Sequence, residues 1–185
     1  MKNFTKLIWK HSSQPTPIIP RANIGDEKVM FTVFFSEEGI QFIHQLPHGE
    51  TMNSRTFVKD VLTPLQNKYV QQKHAKQIEI TIHHDNSRLH TAKHTKQFLQ
   101  NSVFDQLQHP AYFPDIAPCD LSLFGILKKE LKGVMIANEL QAYDLVSRIL
   151  AEIHQIEIWR TLRSWITLLQ WIAKHDGDYQ SKDKR

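Results

Sequence analysis

The chain has 185 residues, 23 Lys and Arg against 19 Asp and Glu, a formal charge of +4 and 41% hydrophobic residues. That length suits one domain able to bury a sizeable core, and no apolar run approaches the roughly 20 residues that a membrane span needs. The single cysteine, Cys119, excludes an internal disulfide and favours a reducing compartment.

In chain order, residues 1–27 are polar and carry Pro15, Pro17 and Pro20, the composition of a loose segment. Met1-Lys2-Asn3-Phe4-Thr5-Lys6 lacks the apolar core of a secretory signal, so a nuclear or cytoplasmic location is expected. Val29 to Phe35 and Gln41 to Leu46 read as strands joined by the turn Ser36-Glu37-Glu38-Gly39. Asn53 can cap a helix with Phe57, Val61 and Leu65 on one face, and Pro64 should kink or end it. Ile78 to Ile82 alternates as a strand with one buried face. Leu89 to Gln100 reads as a basic helix, and Val103 to Leu107 as a short strand. Leu121, Phe124, Leu127 and Leu131 form a helical stripe that Gly133 ends. Asn138 with Gln141 predicts a capping box for a helix striped by Leu145, Ile149 and Ile153. A last helix from about Glu157 to His175 is apolar nearly all round, which predicts burial, with a dimer contact as the alternative. Strands followed by helices point to α/β.

Two aspartates stand out. Asp85 follows the Ile78 to Ile82 strand, Asp120 precedes the Leu121 to Lys132 helix, and 34 residues separate them. Lone aspartates are usually caps or turn residues. A pair placed at a strand end and a helix start can share a metal site, however, because hard divalent ions take carboxylate oxygens and keep positions open for substrate phosphates. The helix dipole at Asp120 favours the ionised form that a ligand must have.

The stretch His84-Asp85-Asn86-Ser87-Arg88-Leu89-His90-Thr91-Ala92, followed by His109-Pro110-Ala111-Tyr112-Phe113-Pro114-Asp115-Ile116-Ala117-Pro118-Cys119-Asp120-Leu121-Ser122-Leu123-Phe124, resembles the mariner family of transposases. There the blocks read H-D-N-A-R-x-H-x-A and H-P-P-Y-S-P-D-L-A-P-x-D-x-x-L-F, with the same 34-residue gap. Lys28 to Phe35, Gly39-Ile40, Leu46-Pro47, Gly49-Glu50-Thr51, Asn53, Leu131-Lys132-Gly133 and Gly177-Asp178-Tyr179 are also similar, so the resemblance covers roughly residues 20 to 180. Ala111, Phe113 and Ser87 depart from the pattern without removing a ligand.

The resemblance implies a ribonuclease H-like mixed sheet flanked by helices, in residues 28–180, with a polar tail at 181–185. It implies DNA as partner, Mg²⁺ or Mn²⁺ as cofactor, and DNA cut-and-paste chemistry: phosphodiester cleavage and strand transfer. Asp85 and Asp120 match the family's second and third catalytic, metal-binding acids. Its first acid lies on the first strand. Asp26, in Gly25-Asp26-Glu27-Lys28, reads as a turn residue instead, because Lys28 to Phe35 matches the strand that comes next. The expectation is a chain that begins after the first strand, a truncated or degenerate copy without the family's helix-turn-helix region. The alternative is a catalytically inactive nucleic-acid-binding or protein-interaction module.

Residues 51 to 100 hold eight Lys and Arg against three acids. Among them Arg88, Lys93 and Lys96 are the candidate contacts to a phosphate backbone, against the alternative of a solvated helix face. His90 and His94 have a spacing that can hold Zn²⁺, but no Glu or Cys partner accompanies them and structural histidines are the expectation. A homodimer is the further partner considered.

Overall fold

Phe31-Thr32-Val33-Phe34-Phe35 places apolar side chains on both faces of one run, the signature of a strand covered on both faces. The structure, a computed structural model, describes residues 28–76, 79–110 and 116–175 and bears this out. Strand β1 (Phe31–Ser36) pairs antiparallel with β2 (Gly39–Gln45), with a bulge between Phe34 and Phe35. Gly39 closes the turn at φ 113°, a conformation that side chains with a Cβ rarely adopt. Phe34 and Phe42 pack on one side of this hairpin against a core built on Phe57, Val61, Leu62 and Leu65. Phe31, Val33, Phe35, Ile40 and Ile43 pack on the other side against Leu123, Leu127, Val146 and Leu150. The hairpin is therefore the middle of a three-layer α/β arrangement, matching the expected class.

The first helical layer is α1, over residues 54–76. The Asn53 side chain accepts from the Arg55 and Thr56 amides and starts it. Pro64 does not end it: Thr63–Lys76 continues the helix. The reason lies just upstream. Phe57–Leu62 is a π-helical stretch in which the Thr63 amide reaches back five residues to the Val58 carbonyl, and the wider turn makes room for the proline ring.

Strand β3 (Ile80–His83) pairs in parallel with β4 (Phe104–Leu107). Ile80 and Ile82 face the first core while Thr81 is exposed, as the alternation predicts. Between them lies not one helix but two, α2 (Arg88–Thr91) and α3 (Lys93–Gln100), which corrects the single helix expected over Leu89 to Gln100. Ala92 breaks the path at ψ 142°. The buried Thr95 hydroxyl donates to the Leu89 carbonyl that the break releases, at 2.9 Å.

The second helical layer starts with α4, over residues 119–130, whose first turn Cys119–Leu123 is also π-helical. Gly133 ends this region at φ 79°. Helix α5 (Glu139–Ala151) is capped by Asn138, whose side chain accepts from the Gln141 amide at 2.9 Å. The Gln141 side chain reaches back to the Ala137 amide at 2.6 Å, one residue beyond the usual capping box. Helix α6 (Gln155–Lys174) buries Ile158 and Ile172 but leaves Ile156, Trp159 and Ile166 exposed, so the burial expected for it holds on one side only. Among the described residues, no helix is long and apolar enough to cross a membrane.

Candidate active site

Parallel pairing with β4 brings the end of β3 beside the loop after β4, and side chains lock the two together. The Asn86 amide donates to the His109 carbonyl at 2.8 Å, and His109 Nδ1 lies 3.3 Å from His83 Nε2. Helix α6 closes over them: the Trp165 and His83 rings are 5.0 Å apart, and the Trp165 indole donates to the Ile116 carbonyl at 2.8 Å. That bond holds the segment leading into α4, and so the position of Asp120. Sequence reasoning missed this supporting layer of His83, Asn86, His109 and Trp165. Nearness to the Asp85 motif hints at the first two, whereas the Trp165 contact spans 49 residues of sequence and left no local signal.

Asp85 begins the turn into α2. Its Oδ1 accepts from the Ser87 amide at 2.9 Å and from His90 Nδ1 at 2.6 Å. Burial by itself would raise the Asp85 carboxyl, but these bonds and the nearby His90 outweigh it and hold the group below the usual carboxylate range. Both of these bonds fall on Oδ1. Burial pushes His83 and His84 below the ordinary histidine value, so both rings are neutral near pH 7.

Asp120 lies exposed in the first turn of α4. It and Asp85 both line one groove, about 640 Å³ in volume. The Cys119 thiol senses both. Burial first, then the charge of Asp120 and more weakly that of Asp85, pushes it up to about 11. A thiol so held is a packing group and not a nucleophile.

The chemistry of the donors fits a hard divalent ion: Asp85 and Asp120 are carboxylates on a groove that Glu37, Glu38 and Glu79 also line. Among the described residues there is no cluster of three or more His, Cys, Asp or Glu able to hold a metal. Asp26 lies outside the described residues. His90 is tied to Asp85, and the break at Ala92 separates its helix from that of His94, as expected for structural histidines. Arg88, Lys93 and Lys96 are all exposed; Lys93 and Lys96 share the solvent side of α3, whose other side buries Thr95 and Leu99.

Residues 2–80 match the family model described as Transposase (partial DDE domain). The chain is 28% identical over 178 residues to the mariner Mos1 transposase of Drosophila mauritiana, covering 94% of this chain and 45% of that protein. It is 29% identical over 140 residues to the human histone-lysine N-methyltransferase SETMAR, covering 72% of this chain and 20% of that protein. The chain thus spans less than half the length of these curated relatives. The Mos1 paired-end complex with Mg superposes with a TM-score of 0.80 at 25% identity, over 95% of this chain and 52% of that one. The Mos1 catalytic domain alone gives 0.74 at 22% identity, over 85% and 78%, a likeness of fold. By sequence the chain is similar to the mariner-type transposases, and its fold is that of the Mos1 catalytic domain.

Proposed function

We propose that this chain is a transposase-derived domain of the DNA cut-and-paste type, in which Asp85 and Asp120 hold a divalent ion, Mg²⁺ or Mn²⁺, against a DNA phosphate. The observation that carries this reading is that these two acids, each inside a mariner-like motif, line one groove. Complexes of the relative Mos1 have been solved with Mg and with Mn, which supports the choice of ion.

When bound, such an ion supplies Lewis acidity and lowers the pKa of a coordinated water. The chain's own residues do the rest. Ser87 and His90 fix one oxygen of Asp85 and so orient the carboxylate. Asp120 offers a second carboxylate from a helix start, where the dipole favours its charge. Arg88, Lys93 and Lys96 hold the phosphate backbone and position the duplex without reading bases. A DNA-handling role of this kind places the protein in the nucleus, and the exposed Ile156, Trp159 and Ile166 of α6 offer a face for a homodimer.

Calorimetry with Mn²⁺ and a supercoiled-plasmid nicking assay test the reading together. Metal binding should disappear in Asp85→Ala and in Asp120→Ala. An affinity unchanged in both variants would overturn the assignment. Because the described residues hold no cluster of three or more metal-ligating side chains, transposition by this chain alone is not expected.

A further inference from the structure

Helix α6 holds the first turn of α4 on both sides of Asp120. Thr161 and Trp165 stand four residues apart, about one helical turn, and so share a face of α6. The Trp165 indole donates to the Ile116 carbonyl at 2.8 Å, before Asp120 in the chain. After it, the Ser122 hydroxyl lies 2.8 Å from that of Thr161. Thr161 gives its own proton to the Glu157 carbonyl at 2.9 Å, so Ser122 is the donor between the two hydroxyls. Ile116 is 1% exposed, and water cannot replace the indole at its carbonyl. The next residue, Ala117, accepts from the Asp120 and Leu121 amides at 3.0 and 3.1 Å, which carries the restraint directly into the acid's backbone. The same tryptophan also reaches the other acid's strand. Its ring lies 5.0 Å from that of His83, the last residue of β3 and two before Asp85.

We infer that Trp165 is a positioning residue for the metal site, the brace through which α6 fixes Asp120 with respect to Asp85. This role deepens the metal reading of the groove and rests on it. Asp85 is oriented within its own motif by Ser87 and His90. Asp120 is exposed, and its turn is held from outside α4. An ion shared by two carboxylates must order both, and a turn fixed beforehand removes part of that cost. The coupling runs both ways: a bound ion tightens the α6 contacts by the factor by which those contacts tighten the ion. The indole N–H carries the role together with the ring, which sets it apart from core packing.

The test compares the full chain with Trp165→Phe, which keeps a ring beside His83 and removes the donor to Ile116. Trp171→Phe, which takes an indole from the same helix, is the control. Calorimetry with Mn²⁺ should give an affinity about tenfold lower in Trp165→Phe and unchanged in Trp171→Phe. Amide exchange without metal should be about tenfold or more faster at Asp120 and Leu121 in Trp165→Phe, as a lost bond to a buried carbonyl implies. Arg55 and Thr56, held by Asn53 at the start of α1, should keep their rates. If Trp165→Phe folds poorly, the unaltered chain still decides: saturating Mg²⁺ should slow exchange of the Trp165 indole hydrogen, and an unchanged rate would overturn the inference. So would unchanged exchange at Asp120 and Leu121 in the variant, or an unchanged Mn²⁺ affinity. An acceleration spread evenly over α5 and α6 would also overturn it, since that marks a merely structural part. An unaltered chain that takes up no Mn²⁺ overturns the metal reading instead, and the metal-free exchange rates then decide alone whether Trp165 braces the Asp120 turn.

Discussion

His90 Nδ1 lies 2.6 Å from Asp85 Oδ1, across the first turn of a four-residue helix. The contact explains why the two residues sit five apart in the motif: the Asp85 turn starts α2, and one helical turn brings His90 back over the carboxylate. The Phe57 ring, 5.0 Å from the His90 ring, backs the imidazole from the core side. His90 thus orients Asp85, the arrangement by which a supporting group tunes a metal ligand.

His90→Ala should raise the Asp85 carboxyl toward its ordinary range, because one of the bonds favouring the charged form is gone. It should also weaken Mn²⁺ binding by about 10- to 100-fold, the usual effect of removing a ligand's supporting partner. Carboxyl-carbon NMR titration and calorimetry read the two effects separately. A lowered metal affinity with no change at the Asp85 carboxyl would mean that His90 acts by some route other than this bond.

The shifted groups set a pH profile for stability. His83 and His84 titrate below the ordinary value in the folded chain because burial disfavours their charged forms. The unfolded chain then binds more protons as pH falls through about 6.5, and stability drops there. Asp85 is also held low, so its contribution is complete above about 3.9 and is lost as pH falls further through its folded value. Urea midpoints should fall between pH 7.5 and 5, and the fall should be smaller in His84→Gln. A flat profile over that range would contradict the buried neutral state of these rings.

Much of the fold is legible in short stretches because local rules decide it. Val29 to Phe35 reads as a strand, and Asn53 and Asn138 mark helix starts that the structure keeps. Asp85 and Asp120 were legible as a pair through their motifs, and their shared groove follows from the topology. What was not legible depends on partners distant in sequence or on backbone register. Pro64 is tolerated only because a π turn precedes it, and nothing in its neighbours announces that turn. The break at Ala92 is stabilised by Thr95, a residue that reads as an ordinary helix position. The aromatic spacing in α6 cannot say which tryptophan meets His83 and which stays exposed, since the packing of α6 decides that.

Thr95 gives a direct measure of that break. Its side chain is fully buried, and its hydroxyl donates to the Leu89 carbonyl at 2.9 Å. Thr95→Val keeps the shape and removes the donor, leaving a carbonyl in the core unsatisfied at a cost of about 1 to 3 kcal/mol. Because α2 also carries His90, the variant should loosen the Asp85 turn as well as lower stability. Denaturant unfolding and amide exchange at Ser87 and His90 check both. A loss of stability with unchanged exchange at those two amides would separate the break from the site.

Lys93 and Lys96 stand three residues apart on the exposed side of α3, a spacing that puts two cations on one helix face. Neither has a salt-bridge partner among the described residues, so their charge is available to a phosphate backbone. Lys93→Glu and Lys96→Glu should each weaken binding of any duplex about equally, whatever its sequence, because phosphate contacts carry no base information. The measurement is binding against salt concentration. Each neutral variant, Lys93→Gln or Lys96→Gln, should lower the slope of log K against log salt by about 1, the amount one phosphate contact contributes. A slope unchanged in both would move the DNA surface off α3, to Arg88 or beyond. A loss confined to one DNA sequence would instead mean that these lysines reach base edges.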